Sequence, residues 1–478
     1  KAGKTVIIKY YIMRFYTNQE GCGKMLRILS WLRHPLHRKG KPLNATKTIA
    51  VVFAAIILVG ALLLTLPVSS RSGESCGFLP ALFTATSTTC VTGLVLFDTF
   101  TQWSGFGQTV IITLIQIGGL GFMSIASMVV FTLRRKVGLK QRMVMAQALS
   151  LTDMEGVVQL QKVVITGSLG VEALGALILT LRFWPEYGFG TALKWGTFHS
   201  ISAFCNAGFD LMGDKTGPYS SLTSFSSDCG IVIPICLLII IGGIGFLTWD
   251  DIAVNRLNIK RYRLQSKVIL VSTAFLIIVP MLYLFLYEYP GYTLKERICL
   301  SLFQSVTPRT AGFNTSDLTA LSGAGRMLLI LLMLIGGSPG STAGGMKTTT
   351  ITVLMANTIA VFRKRKNVQI LSRRVDDGTI RTASTLLLMY AFLALSGSFI
   401  ISITDNLPIG TCLFESASAI GTVGLSLGIT PALSTVSHMV LILLMFIGRV
   451  GGLTLVYAAV TGRKTEVSLC PVEKIIIG

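Results

Sequence analysis

Thr88-Thr89-Cys90-Val91-Thr92-Gly93-Leu94 is short, rich in hydroxyls and closes on a single glycine. The chain writes it four times. Leu82-Phe83 leads to Gly93, and Thr197-Phe198 leads through Ser202-Ala203-Phe204-Cys205-Asn206-Ala207 to Gly208. Leu302-Phe303 leads through Ser305-Val306-Thr307-Pro308-Arg309-Thr310-Ala311 to Gly312. Leu413-Phe414 leads through Ser416-Ala417-Ser418-Ala419-Ile420-Gly421-Thr422-Val423 to Gly424. Each copy is too short and too polar to cross a bilayer. The glycines lie 115, 104 and 112 residues apart, so almost the whole chain is a fourfold repeat.

A second landmark follows each glycine. It reads Ile117-Gly118-Gly119-Leu120-Gly121, Ile241-Gly242-Gly243-Ile244-Gly245, Ile335-Gly336-Gly337-Ser338-Pro339-Gly340 and Ile447-Gly448-Arg449-Val450-Gly451. Its first glycine falls 25, 34, 24 and 24 residues after the loop glycine.

Of the 478 residues 51% are apolar and 13% are charged, about half the charge of a soluble domain. Charge-free runs at Thr48–Leu66, Val268–Tyr287 and Thr382–Thr404 are long enough to span a hydrocarbon core of about 30 Å. The polar, basic stretch before residue 48 lacks the pattern of a cleavable leader. The nine cysteines have no paired spacing and read as small buried residues, with neither a disulfide framework nor a metal site.

Each repeat reads as helix, short pore segment, helix: 48–66, 78–90 and 105–133; 160–183, 194–205 and 229–254; 266–288, 294–308 and 326–362; 379–404, 410–421 and 433–461. The expected fold is an all-α membrane protein. It has four tandem helix–pore-loop–helix repeats around a pseudo-fourfold central pore, with eight spanning helices and four half-helices. The divisions are a basic N-terminus at 1–47, repeats at 48–142, 143–258, 259–364 and 365–465, and a tail at 466–478.

The formal net charge of +21 is concentrated. Residues 1–47, 134–142, 256–267 and 363–381 hold 28 of the 42 Lys and Arg. With two spans per repeat these segments share one side, which the positive-inside rule makes cytoplasmic, with both termini. Anionic lipid headgroups and a cytosolic partner, not nucleic acid, are the acceptors this placement suits.

Non-helical backbone survives at membrane depth where it is buried or lines a watery path. Four such segments around one axis form a candidate filter: Thr89, Cys90, Val91, Thr92 and Gly93; Cys205, Asn206, Ala207 and Gly208; Thr310, Ala311 and Gly312; Thr422, Val423 and Gly424. Carbonyls before each glycine replace a cation's hydration shell, and glycine adopts positive φ without strain. Hydroxyls of Thr88, Thr89, Ser202, Thr307 and Ser418 are further candidate oxygens. Neutral oxygens without a carboxylate cluster suit a monovalent cation better than Ca²⁺. The alternative is four helix-breaking turns in a bundle, with glycine serving close packing.

These motifs, together with Gly336–Lys347 and Arg449, resemble the Trk/Ktr/HKT superfamily of potassium transporters over about residues 45–465. With no span before residue 48, the chain is more similar to a Ktr-type (KtrB-like) subunit than to a TrkH-type one. The resemblance implies potassium uptake across the bacterial cell membrane by a homodimer, with potassium held at the carbonyls near Gly93, Gly208, Gly312 and Gly424. It also implies a cytosolic RCK-type regulatory subunit (KtrA/TrkA-like) that binds the nucleotide, no cofactor in this chain, and sodium dependence in some members.

It further places Arg449 below the filter, as a barrier or counter to the ion. The bland reading is an arginine satisfied by helix-end carbonyls. Gly336, Gly337, Ser338, Pro339, Gly340, Ser341, Thr342, Ala343, Gly344, Gly345 and Lys347 would form an intramembrane gate loop in repeat three, where the other repeats keep a continuous helix. That run imitates a phosphate-binding loop, but Met346 is inserted before Lys347 and an apolar span precedes it, so a nucleotide site is not expected.

Asp98, Asp210 and Asp317 follow three of the filter glycines and serve either as a cation-concentrating mouth or as plain solvated acids. Glu172 and Glu415 are expected to find internal partners, Arg309 a structural contact, and His199 and His438 no ligand role. Asn44 and Asn314 open low-specificity glycosylation patterns. A non-selective or sodium-conducting transporter of the same fold is the alternative function. A membrane enzyme or receptor is the other class, and no H-E-x-x-H or G-x-S-x-G motif supports it.

Overall fold

The computed structural model describes residues 45–121 and 156–451, except 215, 216 and 257, with a few isolated positions between the two stretches. The basic N-terminus, most of the 134–142 segment, the end of the fourth repeat and the 466–478 tail lie outside the described residues.

Repeat one supplies α1 (Ala45–Thr65), α2 (Phe78–Thr89) and α3 (Gly105–Leu120). Repeat two supplies α4 (Val157–Tyr187), α5 (Phe189–Phe204), α6 (Cys229–Gly243) and α7 (Phe246–Asn255). Repeat three supplies α8 (Leu264–Tyr283), α9 (Leu294–Val306), α10 (Gly323–Leu334) and α11 (Thr348–Phe362). Repeat four supplies α12 (Asp377–Asp405), α13 (Ile409–Gly421) and α14 (Thr435–Val450). A small antiparallel hairpin, Gln369–Ile370 with Arg373–Arg374, joins α11 to α12.

The first helix of each repeat carries the membrane signature. Lys47–Thr65, Val157–Tyr187, Leu264–Glu288 and Asp377–Asp405 are long and apolar enough to cross a bilayer. They keep large apolar side chains exposed, among them Val59, Leu174, Phe275 and Phe392. In water such surface would be a liability; against lipid it is the expected facing.

The short helices α2, α5, α9 and α13 sit inside. Phe83, Phe198, Phe303 and Phe414, the phenylalanine of each repeated Phe-to-Gly run, are all buried. The second helices start alike. Ser104, Asp228, Ser322 and Ser434 each cap a helix N-terminus by accepting a backbone N–H, at 3.2, 2.9, 3.0 and 3.4 Å.

The second helices of repeats two and three are interrupted, and those of repeats one and four end at a positive-φ glycine inside the expected span, which corrects the expectation from the sequence. α3 ends at Leu120 with Gly121 at φ +80°, and α14 ends at Val450 with Gly451 at φ +88°. Between α6 and α7 the chain turns by 96° at Gly245, φ +89°. Left-handed backbone at these glycines terminates the helix by a C-cap without a Cβ clash. Repeat three elaborates the same break into a loop; it does not introduce the only one. By length alone the described residues hold four spanning helices, or five if the bent pair is one span.

The first glycine of the second landmark has a packing role. A Cβ at Gly118, Gly242 or Gly448 would run into the carbonyl oxygen of Thr89, Phe204 or Ile420, at the end of the short helix beside it. Valine at any of these three should therefore cost at least the ~1–3 kcal/mol of an overpacked core and reduce the monodisperse fraction in size-exclusion chromatography. Gly105→Ala, where nothing lies within 4 Å of the added carbon, should match the parent.

Candidate functional site

Each short helix ends in the same way. Val91, Asn206, Thr310 and Thr422 take left-handed backbone (φ 57°, 59°, 72° and 53°), and two residues later the glycine is again at positive φ. The reversal carries the chain out of the helix and into the loop that closes on the glycine. A hydroxyl one turn back holds the reversal. Ser87 Oγ accepts from Gly93 N and Ser418 Oγ from Gly424 N, both at 3.1 Å. Ser202 Oγ accepts from Phe209 N at 3.0 Å and donates to Phe209 O, while Thr307 Oγ1 donates to Phe313 O at 2.6 Å.

The hydroxyls of Ser202, Thr307 and Ser418 are therefore struts of the loop, not free ligand oxygens. Thr88 Oγ1 is likewise committed to the carbonyls of Thr84 and Ala85. Thr89 Oγ1 is buried without a protein partner, as are Thr92 Oγ1, Asn206 Oδ1 and Thr422 Oγ1.

The four glycines meet in cyclic order. A Cβ on Gly93 would stand 2.7 Å from Ala207 O, and one on Gly208 2.6 Å from Ala311 O. One on Gly312 would meet Val423 O, and one on Gly424 would meet Thr92 O. In every case the atom struck is the carbonyl of the residue before the next glycine. The loops thus close a ring, and only a residue without a side chain fits at each corner.

Outside the ring lies a cavity of about 420 Å³ lined by all four glycines, Asp98 and Asp210. Asp98 accepts from Phe100 N, Thr101 N and Tyr219 N at 2.8–3.1 Å, tying loop one to loop two. Asp210, in the loop beyond the helices, has its carboxyl pushed up to about 7 by burial, with the nearby Asp98 adding to the shift. Asp317 does not line this cavity. It is exposed, and the Thr319 hydroxyl and amide hold its carboxyl below the ordinary range. The acids divide accordingly: two at the mouth, one in a solvated turn.

A further layer was legible in the sequence only at Glu415. One polar residue on each of three short helices reaches the chain just past the glycine. His199 Nε2 accepts from Leu211 N at 3.4 Å, with Nδ1 against Trp195 O. Gln304 Nε2 donates to Asn314 Oδ1 and Ser316 Oγ at 3.0 and 2.8 Å. Glu415 accepts from Ser426 Oγ, Leu427 N and Thr430 Oγ1 at 2.6–3.0 Å. Their register, eight or nine residues before the glycine, was visible; their differing chemistry hid it. Asn314 is thus a structural acceptor. Glu172 pairs with Gln116 at 2.9–3.1 Å, and the buried Arg309 touches Thr273 Oγ1 at 3.4 Å.

Beneath the ring lies the stretch from Gly336 to Lys347. Gly336 N donates to Met346 O at 2.7 Å and pins its two ends together. Ser338 N and Thr342 N donate to Gly243 O and Gly242 O, and Thr342 Oγ1 to Phe204 O, all in repeat two. Gly344 and Gly345 leave no room for a Cβ against Thr422 and Gly421 of repeat four. Arg449 completes the clasp. It donates to Thr342 O and to the carbonyls of Gly118 and Gly119 at the end of α3. The loop therefore touches repeats two and four directly, and Arg449 connects it to repeat one. Ser341 bonds Ser338 O within the loop, and Lys347 Nζ folds back on Ala343 O and Gly344 O. Lys347 is a strut of the loop and does not extend to another element. No phosphate-binding geometry follows from these bonds.

Apolar helices of spanning length, packed around short helices whose loops meet in a ring of four glycines, define an integral membrane protein of the transporter kind. Residues 25–288 and 288–465 match the family described as TrkH, cation transport protein, and the chain belongs to that family. It is 39% identical over 452 residues to the potassium/sodium uptake protein NtpJ of Enterococcus hirae, covering 92% of this chain and 99% of that one. It is 40% identical over 438 residues to the Ktr system potassium uptake protein B of Bacillus subtilis, covering 90% and 94%. The crystal structure of the potassium transporter TrkH from Vibrio parahaemolyticus shares the fold, with a TM-score of 0.70 at 18% identity over 90% of this chain and 86% of that one. The chain is accordingly a transporter and not an enzyme.

Charged hydrogen bonds of the Glu415 kind contribute about 1.5–3 kcal/mol each. Glu415→Gln should therefore speed amide hydrogen exchange at residues 425–430 by about tenfold or more, read by mass spectrometry, without changing exchange in α12.

Proposed function

We propose that the chain carries potassium across the cell membrane through a pore whose selectivity filter is the ring of loops at Gly93, Gly208, Gly312 and Gly424. One observation carries the reading: each filter glycine lies against the carbonyl before the next, which brings four sets of backbone oxygens to one place. Carbonyls so arranged substitute for the water around a weakly hydrated cation. The C-terminal ends of α2, α5, α9 and α13 add partial negative charge there. Among the described residues no cluster of His, Cys, Asp or Glu can hold a metal ion, which leaves neutral oxygens as the ligands. The names of the Enterococcus and Bacillus relatives supply the ion, and the former adds sodium as a second candidate.

The stretch Gly336–Lys347 is the gate, and Arg449 is its latch. Its guanidinium holds the loop by the Thr342 carbonyl under the filter and places a positive charge in the cation's way. Barrier and structural arginine are then one role. The partner is a cytosolic, nucleotide-binding subunit of the RCK type, and the membrane subunit pairs as a homodimer, with both termini cytoplasmic. The exposed Arg363–Lys366 run and the hairpin arginines offer it a basic surface. On the 256–267 segment, by contrast, Arg263 is already paired with Asp250 and Asp251.

Uptake of radioactive rubidium into liposomes holding the purified chain tests the reading, with sodium as competitor. Serine at any filter glycine should lower the potassium preference about tenfold, the effect of roughly 1.4 kcal/mol at the site. Unchanged discrimination in all four variants would sink the filter. Arg449→Gln should raise uptake severalfold, with the ion preference kept. Loss of uptake with intact folding would remove the latch.

A further inference from the structure

Cys229 and Cys299 come from different repeats and meet. Cys229 is the first residue of α6, and Cys299 lies in the second turn of α9. Their sulfurs are 3.0 Å apart. Cys299 is buried and Cys229 half-buried, so one of the two is open to a reagent and the other waits behind it. Nothing in the sequence announces the pair, since the cysteines stand 70 residues apart.

The pair sits on the mouth side of the ring. Tyr219 and Ser221, which lead toward α6, line the mouth cavity, and Leu222 N donates to Asn314 O just past the third filter glycine.

We propose that Cys229 and Cys299 are a disulfide site. The bond requires the sulfurs to approach by roughly a further 1 Å. The oxidant is a disulfide. The Cys229 thiolate attacks one of its sulfurs and releases one thiolate. The Cys299 thiolate then attacks the Cys229 sulfur of the mixed disulfide and releases the second. The two protons lost by the cysteines pass to the two released thiols. The protein gives up two electrons and the oxidant gains them.

The bond ties α6 to α9. α6 leads at its far end to Gly242 and Gly243, whose carbonyls hold the Gly336–Lys347 loop. α9 leads to Thr310, Ala311 and Gly312 of the ring. A covalent link between them joins the third filter corner to the helix that seats the gate. The proposed orientation puts the pair on the outer face, where thiols meet oxidants. Only the physiological setting rests on that orientation.

The test uses the full purified chain in lipid nanodiscs, treated with oxidised glutathione and then with dithiothreitol. Peptide mass spectrometry should show Cys229 joined to Cys299, both thiols lost together to maleimide and both restored by reduction. Cys299→Ser should leave Cys229 as a glutathione adduct. Cys229→Ser should leave Cys299 free, and Cys236→Ser should still form the bond. Two free thiols after oxidation, two separate adducts, or a link from either cysteine to another would overturn the assignment. Rubidium uptake by the same samples keeps this result separate from the filter reading. A crosslink in a chain that carries no rubidium would uphold the one and reject the other.

Discussion

Backbone carbonyls at membrane depth have no solvent to turn to, and a helix that stops there leaves its last ones without an intrahelical partner. This chain ends four short helices in loops whose glycines each lie against the carbonyl before the next glycine. The contact between a glycine and the carbonyl before the next glycine, repeated around the ring, is what the rest of the structure serves. It demands positive φ, which the glycines and the four left-handed residues before them supply. It demands loops that do not move, which the hydroxyl struts of Ser87, Ser202, Thr307 and Ser418 supply from within. His199, Gln304 and Glu415 brace the outer side.

The same constraint explains the second helices. Gly118, Gly242 and Gly448 bring them against the ends of the short helices closely enough that no side chain fits. Having passed that point the described helices end, at Gly121, Gly245 and Gly451. The broken ends expose further carbonyls below the ring, and Arg449 is the donor that answers them on α3. A cation at that depth is expensive unless donors and acceptors match, and carbonyls matched to a guanidinium meet the condition. By also binding the Thr342 carbonyl, Arg449 couples the break in repeat one to the loop in repeat three.

The repeat, the four glycines and the apolar first helices were legible because each is a matter of spacing or composition, and spacing survives in a linear string. So were the internal partners of Glu172 and Glu415, since a buried acid must find some. Three things were not legible. Ile-Gly-Gly reads equally as a flexible point in a helix and as its end, and only the left-handed φ of the third glycine decides. The roles of Ser202, Thr307 and Ser418 turned on direction: a hydroxyl near a cation path can face the ion or the backbone, and these face the backbone. The contact of Cys229 with Cys299 joins separate repeats and leaves no trace in local sequence.

The central claim is that the four loops hold one monovalent cation among their carbonyls. Crystals of the protein grown in thallium or rubidium and measured for anomalous scattering test it most directly. The account predicts a peak on the ring axis, surrounded by the carbonyls of Thr92, Ala207, Ala311 and Val423, that weakens when sodium replaces the heavier ion. A peak confined to the Asp98–Asp210 mouth, with the ring empty while the protein still carries rubidium, would contradict it.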